Sequence, residues 1–336
     1  MILIDGSNAG GQLVRTAVAL SALTGKPFKI TNIRGARPEP GLKTQHIEGI
    51  KSIGELCSAE IKGLELGSKE IEFYPKEFKE KNLKIRISTA GSIGLVLQAL
   101  LIASLKIKKP IEVEFEGGGT WGKWAPPVIY IERVFLPLVG QNFEIESERE
   151  GFYPKGGARL NITIEPCEIK KINYAEKSKL KSINIVSIAS SNLQKSRVAE
   201  RQAEGASKFV EEKLNITPSI EINYSDTLST GSGILCFITT QNSIIGADNI
   251  GEIGKRAEQI GERAARDLLK EYFNGVIDQH AADMLLPYMA FSNQGEILTS
   301  KITNHILTNI DVIETFLNVK FEVKGEKGKP GRIRII

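Results

Sequence analysis

Leu83-Lys84-Ile85-Arg86-Ile87-Ser88-Thr89-Ala90-Gly91-Ser92-Ile93-Gly94-Leu95-Val96-Leu97-Gln98-Ala99-Leu100-Leu101-Ile102-Ala103-Ser104-Leu105 is the stretch that decides the fold. Leu83 to Ile87 alternates apolar with basic residues at period two, the mark of a half-buried strand. A polar turn, Ser88 to Ser92, then leads into a helix candidate over Ser92 to Leu105. Phe28 to Cys57 runs the same way: strand, polar turn, helix, with Ile47, Ile50, Ile53, Leu56 and Cys57 at helical spacing. The two segments are loose repeats of one βα unit. In each, backbone N–H groups and polar side chains gather at a helix N-terminus, where ordinary capping or a bound anion would use them.

Outward from these units the same two periods recur. Ile111-Glu112-Val113-Glu114-Phe115, Leu160 to Ile164 and Ile220 to Tyr224 alternate as strands. Further helices are expected over Gln12 to Leu23, Ser196 to Leu214, Glu252 to Phe273, Val276 to Phe291 and Asn309 to Leu317. The fold class is α+β, with sheets built largely from adjacent strands and helices on one face. From about Lys179 to Asn274 the chain is rich in lysine and glutamate and poor in Gly-Pro punctuation. That stretch reads as a smaller inserted domain, 179–274, with the lysine-rich run Lys170-Lys171 to Lys181 as linker. The remainder, 1–178 and 275–336, is the large domain.

Composition narrows the class. The chain has 336 residues, 41% hydrophobic and 25% charged, with a net charge of +4. These values fit a globular protein and neither require nor exclude nucleic acid. Cys57, Cys167 and Cys236 are odd in number and widely spaced, so a disulfide framework and a zinc cluster are not expected, and a reducing cytoplasm fits. Met1 to Asp5 lacks the pattern of a signal peptide, and Gly94 to Leu105 is too short to span a bilayer. No GxxxxGK[ST] loop, strand–GxGxxG–helix unit or HExxH motif is present.

Four motifs carry possible chemistry. Thr303-Asn304-His305-Ile306-Leu307-Thr308-Asn309 sets one of three histidines (with His46 and His280) among small polar residues. A neutral imidazole, with an ordinary pKa of about 6.5, is a competent nucleophile toward phosphorus. Arg34-Gly35-Ala36-Arg37-Pro38-Glu39-Pro40-Gly41-Leu42-Lys43-Thr44-Gln45-His46 is the densest polar motif. It is either a phosphate-binding turn, for which arginine forks are suited, or a solvated connection. His46 falls on the polar side of its helix, facing either a ligand or a local structural contact. Glu116 to Pro127 carries three glycines and two tryptophans. Trp121 and Trp124 either stack on a base or pack on a neighbouring element. Gly151-Phe152-Tyr153-Pro154-Lys155-Gly156-Gly157 is a second glycine turn, or only a turn.

Taken in order, these segments resemble the RNA 3′-terminal phosphate cyclase family. The likeness rests on Ile4 to Ser7 with Gly10 to Arg15, Arg34 to His46, Ser92 to Gln98, Gly117 to Pro127, Gly151 to Gly157, Asp283 to Ala290 and His305 to Glu314, spread over nearly the whole chain. The resemblance implies a large domain of three βαβαββ-type repeats, similar to the C-terminal domain of translation initiation factor 3, plus a small inserted α/β domain. It also implies a reaction in which a histidine takes AMP from ATP and AMP passes to an RNA 3′-phosphate. The neighbouring 2′-hydroxyl then closes a 2′,3′-cyclic phosphate. ATP, an RNA 3′ end and a divalent cation (magnesium or manganese) are the expected cofactor and partners.

By position, the resemblance assigns His305 as the nucleophile. It places Gln45, Gln98, Pro126, Pro127, His280 and Asp283 around the adenylate, and Arg34 and Arg37 at phosphate. No metal ligand is assigned. The chain departs from the family in the N-terminal loop, Asp5-Gly6-Ser7-Asn8-Ala9-Gly10-Gly11-Gln12, which is two residues shorter and lacks a glutamate. Glu150 also stands where a basic residue is usual, and Ala158 where a third glycine is. His305 with Asp283 points to the enzyme. The missing glutamate points to the alternative, a non-catalytic relative that binds RNA or assists ribosome assembly.

Overall fold

The computed structural model describes residues 1–123, 125–168 and 171–336. The chain begins with β1 (Ile2–Asp5), α1 (Gly11–Thr24), β2 (Phe28–Thr31), α2 (Thr44–Leu56), β3 (Glu60–Lys62) and β4 (Ile71–Tyr74). These strands lie in the order β1-β2-β4-β3. The first pair is parallel and needs α1 as its crossover, while the rest pair antiparallel.

The second unit repeats that layout with β5 (Leu83–Ser92), α3 (Ile93–Ala103), β6 (Ile111–Gly119), a helical stretch, β7 (Phe143–Arg149) and β8 (Arg159–Ile164). The order is β5-β6-β8-β7, again with only the first pair parallel. Burial alternates along β5, β6 and β8 as the sequence period requires: Leu83, Ile85 and Ile87 turn into the core, while Lys84 and Arg86 face water. The helical stretch, absent from the expected helices, consists of α4 (Val128–Tyr130), a π-wound turn (Ile131–Phe135) and α5 (Leu136–Val139). Its residues are apolar almost all round, so no amphipathic period marks it.

A third unit is split. β9 (Asn173–Tyr174) is followed by β10 (Leu180–Ser190), α6 (Val198–Leu214), β11 (Ser219–Ser225), β12 (Ser232–Thr240), β13 (Ile244–Ile250) and α7 (Ala257–Asn274). The unit then resumes with α8 (Gln279–Phe291), β14 (Glu296–Thr299), α9 (Asn304–Phe316), β15 (Phe321–Gly325) and β16 (Gly331–Ile335). β9, β14, β16 and β15 form a sheet of the same order and pairing as the first two. Asn173 and Tyr174 therefore do more than link, although Lys170 lies outside the described residues. The intervening strands make a fourth sheet, β11-β10-β12-β13. One face carries a hydrophobic cluster of its own with α6 and α7, including Ile185, Val210, Cys236 and Leu268. Val186, Ile188 and Leu235 join the main core instead. Cover on both faces is why β12 is buried almost continuously rather than alternately.

Helix starts differ from the sequence reading where caps override periodicity. Val276 and Ile277 hydrogen-bond to the Leu298 carbonyl, so α8 starts only after Asp278, whose carboxylate accepts from the His280 and Ala281 N–H groups. α9 starts five residues before the expected Asn309, at Asn304. Thr303 is its cap, with Oγ1 accepting from the Ile306 N–H at 3.2 Å. Among the described residues no helix is long and apolar enough to cross a membrane.

Candidate active site

The shift in α9 changes where His305 sits. Ile306, Ile310, Ile313 and Phe316 form the buried stripe that docks α9, leaving His305 on the exposed side of its first turn. The N-terminus of α1 faces it. A Cβ built on Gly10 would lie 3.9 Å from His305 Nε2 and 3.6 Å from Arg37 Nη2, so the histidine and the arginine converge over a residue with no side chain. The imidazole is accessible yet closely surrounded. Desolvation, then the charges of Arg15 and Arg37, then His280, pull its pKa below the ordinary value. At neutral pH the ring is therefore neutral and keeps a lone pair for attack.

A buried polar network fixes this turn. Gln12 on α1 donates from Nε2 to the His305 carbonyl at 2.8 Å and to Asp283 Oδ1 at 2.9 Å. Asn309, one turn beyond His305, donates to the same Asp283 oxygen at 2.7 Å and accepts from Thr16 Oγ1 at 2.7 Å. Three helices, α1, α8 and α9, are thereby locked around one carboxyl group. Burial pushes Asp283 up to about 7, against the opposing pull of Arg15 and Asn309. Burial also brings Arg15 down to about 10, which leaves it charged. Gln98 lines the same cleft, with Gln12, Arg15, Asp283 and Asn309. The sequence alone does not single out Gln12, Arg15, Thr16 or Asn309. The chain order gives no hint that α1 and α9, 293 positions apart, share a bond.

The remaining expected residues fall around this centre or apart from it. Gln45 Oε1 accepts from the Ser92 N–H at 2.8 Å, joining the start of α2 to the start of α3. The Pro126 carbonyl lies against Gly94 on α3, 2.4 Å from where a Cβ would be, and Pro127 caps α4. His280, exposed at the start of α8, meets Tyr130 edge-on with ring centroids 6.4 Å apart. Arg34 is spent on its own loop, donating from Nη1 to the carbonyls of Glu39 and Gly41, both at 2.9 Å. His46 is a structural group. Its Nδ1 accepts from the Lys43 N–H at 3.0 Å, Gly11 gives it room, and burial pulls it down to about 3. Trp121 is 3% exposed against Gly233, so it packs rather than offering a face to a base. Trp124 lies outside the described residues.

Two carboxylates lie at or beside the departures from the family pattern. The Asp5 carboxylate is engaged locally, accepting from the Ser7 N–H and hydroxyl and from Asn32 Nδ2. Glu150 is turned inward, where Thr120, Ser147 and Trp121 donate to it. Among the described residues no group of three histidine, cysteine or carboxylate side chains could hold a metal ion.

The sequence has relatives among known proteins. The family described as RTC: RNA 3′-terminal phosphate cyclase matches residues 7–323. Proteins named RNA 3′-terminal phosphate cyclase from Thermococcus gammatolerans, Pyrococcus abyssi and Methanopyrus kandleri are 44%, 42% and 39% identical to this chain. The alignments cover 99%, 100% and 100% of this chain and 97%, 99% and 98% of those proteins. With a match that runs through every segment of the cleft, from the α1 turn to α9, the chain belongs to the RNA 3′-terminal phosphate cyclase family.

Proposed function

We propose that this chain converts an RNA 3′-terminal phosphate to a 2′,3′-cyclic phosphate at the expense of ATP, with His305 as the covalent nucleophile. The observation that carries the reading is the accessible His305 imidazole converging with Arg37 over Gly10, with its backbone held by Gln12. A terminal phosphate has no good leaving group, and transfer of AMP supplies one. The His305 nitrogen attacks the α-phosphorus of ATP, a P–N bond forms and pyrophosphate leaves. An oxygen of the RNA 3′-phosphate then attacks the same phosphorus, and the P–N electrons return to the imidazole. The ribose 2′-hydroxyl attacks the activated 3′-phosphorus, loses its proton and expels AMP. This last step is intramolecular, so orientation supplies much of its rate.

In this reading Arg37 and Arg15 face developing charge on the phosphoryl oxygens. Gln45, Gln98, Pro126, Pro127, His280 and Asp283 bound the space for the nucleotide. No protein cage for a divalent cation is found among the described residues, so no step is assigned to a metal. One observation favours the alternative of a non-catalytic RNA-binding relative: the N-terminal loop lacks the glutamate, and the nearby Asp5 Oδ1 is occupied by Ser7 and Asn32. Incubation of the protein with ATP and an end-labelled, 3′-phosphorylated oligonucleotide separates the two. Cyclisation makes the terminal phosphate resistant to phosphatase, whereas a binder leaves it sensitive.

A further inference from the structure

The glycine turn between β7 and β8 takes no part in the chemistry above, yet it is firmly built. Phe152 is buried against Gly231 of the fourth sheet's loop, and the Lys155 N–H donates to Ser229 Oγ at 3.0 Å. The Gly156 N–H closes the turn on the Phe152 carbonyl at 2.8 Å, and Arg149 Nε donates to the Gly157 carbonyl at 2.6 Å. Gly156 and Gly157, at φ of 66° and 83°, permit this path. The turn displays Tyr153, 81% exposed, although both neighbouring elements are packed. Lys155 is exposed beside it and has no carboxylate partner among the described residues. Glu150, three positions before Tyr153, faces inward.

The turn that carries this exposed aromatic and cation is linked to the active site by packing. Gly156 abuts the Thr89 carbonyl, and Gly91 of the same segment abuts Gln45. His46, the next residue, seats on Gly11 beside Gly10 and His305. Exposed aromatics with nearby cations are how proteins hold unpaired nucleic acid, because every base has a π-face and every linkage a phosphate. We propose that Tyr153 and Lys155 form an upstream RNA subsite, where Tyr153 stacks on a base of the unpaired strand a few nucleotides before the 3′-phosphate and Lys155 faces a backbone phosphate. The inference rests on the cyclase reading for its substrate.

The test compares Tyr153→Ala, Tyr153→Trp and Lys155→Ala on two 3′-phosphorylated substrates, a dinucleotide and an oligonucleotide of about ten nucleotides. Tyr153→Ala raises KM for the long substrate roughly tenfold and Tyr153→Trp restores it. KM for the dinucleotide, and the RNA-free labelling of His305 by ATP, stay unchanged. Lys155→Ala reduces the salt dependence of long-substrate affinity by about one charge. Unchanged long-substrate KM in both alanine variants overturns the proposal, as does an equal rise for both lengths. If the wild-type protein does not cyclise RNA at all, the cyclase reading fails separately. Fluorescence anisotropy with the long oligonucleotide then reads the subsite directly: weaker binding by Tyr153→Ala supports it, and equal binding overturns it.

Discussion

The Gln12 side-chain amide donates to the main-chain carbonyl of His305 at 2.8 Å, across 293 positions of sequence. The same nitrogen reaches Asp283 Oδ1 at 2.9 Å, so one side chain sets the nucleophile's turn against the buried carboxyl group. Replacing Gln12 with leucine removes both bonds and leaves Asp283 with Asn309. The expected result is a fall of about a hundredfold in the rate of His305 adenylylation, since misplacement by an ångström has that effect on an oriented reaction. Loss of stability, measured by urea denaturation, is expected to be only about 1–3 kcal/mol.

Gly10 and Gly11 are adjacent, but they answer to different constraints. A Cβ on Gly10 would meet Arg37 and His305 at 3.6 and 3.9 Å, ordinary contact distances. Gly10→Ala is therefore expected to fold normally, while the larger Gly10→Val fills the space where the two side chains converge and suppresses adenylylation. A Cβ on Gly11 would lie 2.1 Å from His46 Nε2. Gly11→Ala is expected to destabilise the protein by about 1–3 kcal/mol through overpacking. Thermal unfolding of the three variants, set beside their labelling by ATP, checks the contrast.

The His305 ring should titrate below its ordinary value of about 6.5. Positive charge nearby disfavours the imidazolium, so removing Arg37 must raise the midpoint. NMR titration of the ring in the wild type and in Arg37→Ala reads both. A wild-type midpoint above 6.5, or a downward shift in the variant, would contradict the electrostatic account.

These features were unequally legible in the sequence. Alternation in Leu83 to Ile87 and Ile111 to Phe115 located β5 and β6, because a sheet with one covered face imposes that period. The start of α9 was misplaced because Asn304, His305 and Thr308 dilute the apolar stripe, and the cap is a single threonine hydroxyl. The stretch 128–139 left no periodic mark, being buried on nearly every side. Arg34 and Arg37 look equivalent in the sequence. Only the fold shows that Arg34 closes its own loop while Arg37 converges with His305 over Gly10. Likewise, the polar groups joining Thr16, Asn309, Asp283 and Gln12 meet through tertiary packing that no local pattern encodes.

His46 makes stability depend on pH in a definite direction. Its folded pKa is pulled down to about 3, against an ordinary value of about 6.5, so protons bind the unfolded chain preferentially between these limits. Its contribution is complete above pH 6.5 and declines as pH falls toward 3, at up to about 1.4 kcal/mol per pH unit. Asp283, raised to about 7, acts in the opposite sense, with a contribution lost as pH rises through that value. Comparing unfolding free energies of the wild type and His46→Gln across this range isolates the histidine. The variant is expected to show the flatter loss on the acid side.

The central claim is that His305 carries AMP. The direct measurement incubates the protein, and a His305→Ala variant confirmed as folded by circular dichroism, with ATP labelled at the α-phosphate in the presence of magnesium or manganese. The account predicts a labelled protein whose bond is acid-labile and alkali-stable, as a phosphoramidate is, with the label absent from His305→Ala. Undiminished labelling of the variant, or no labelling of the wild type with either metal, would contradict it.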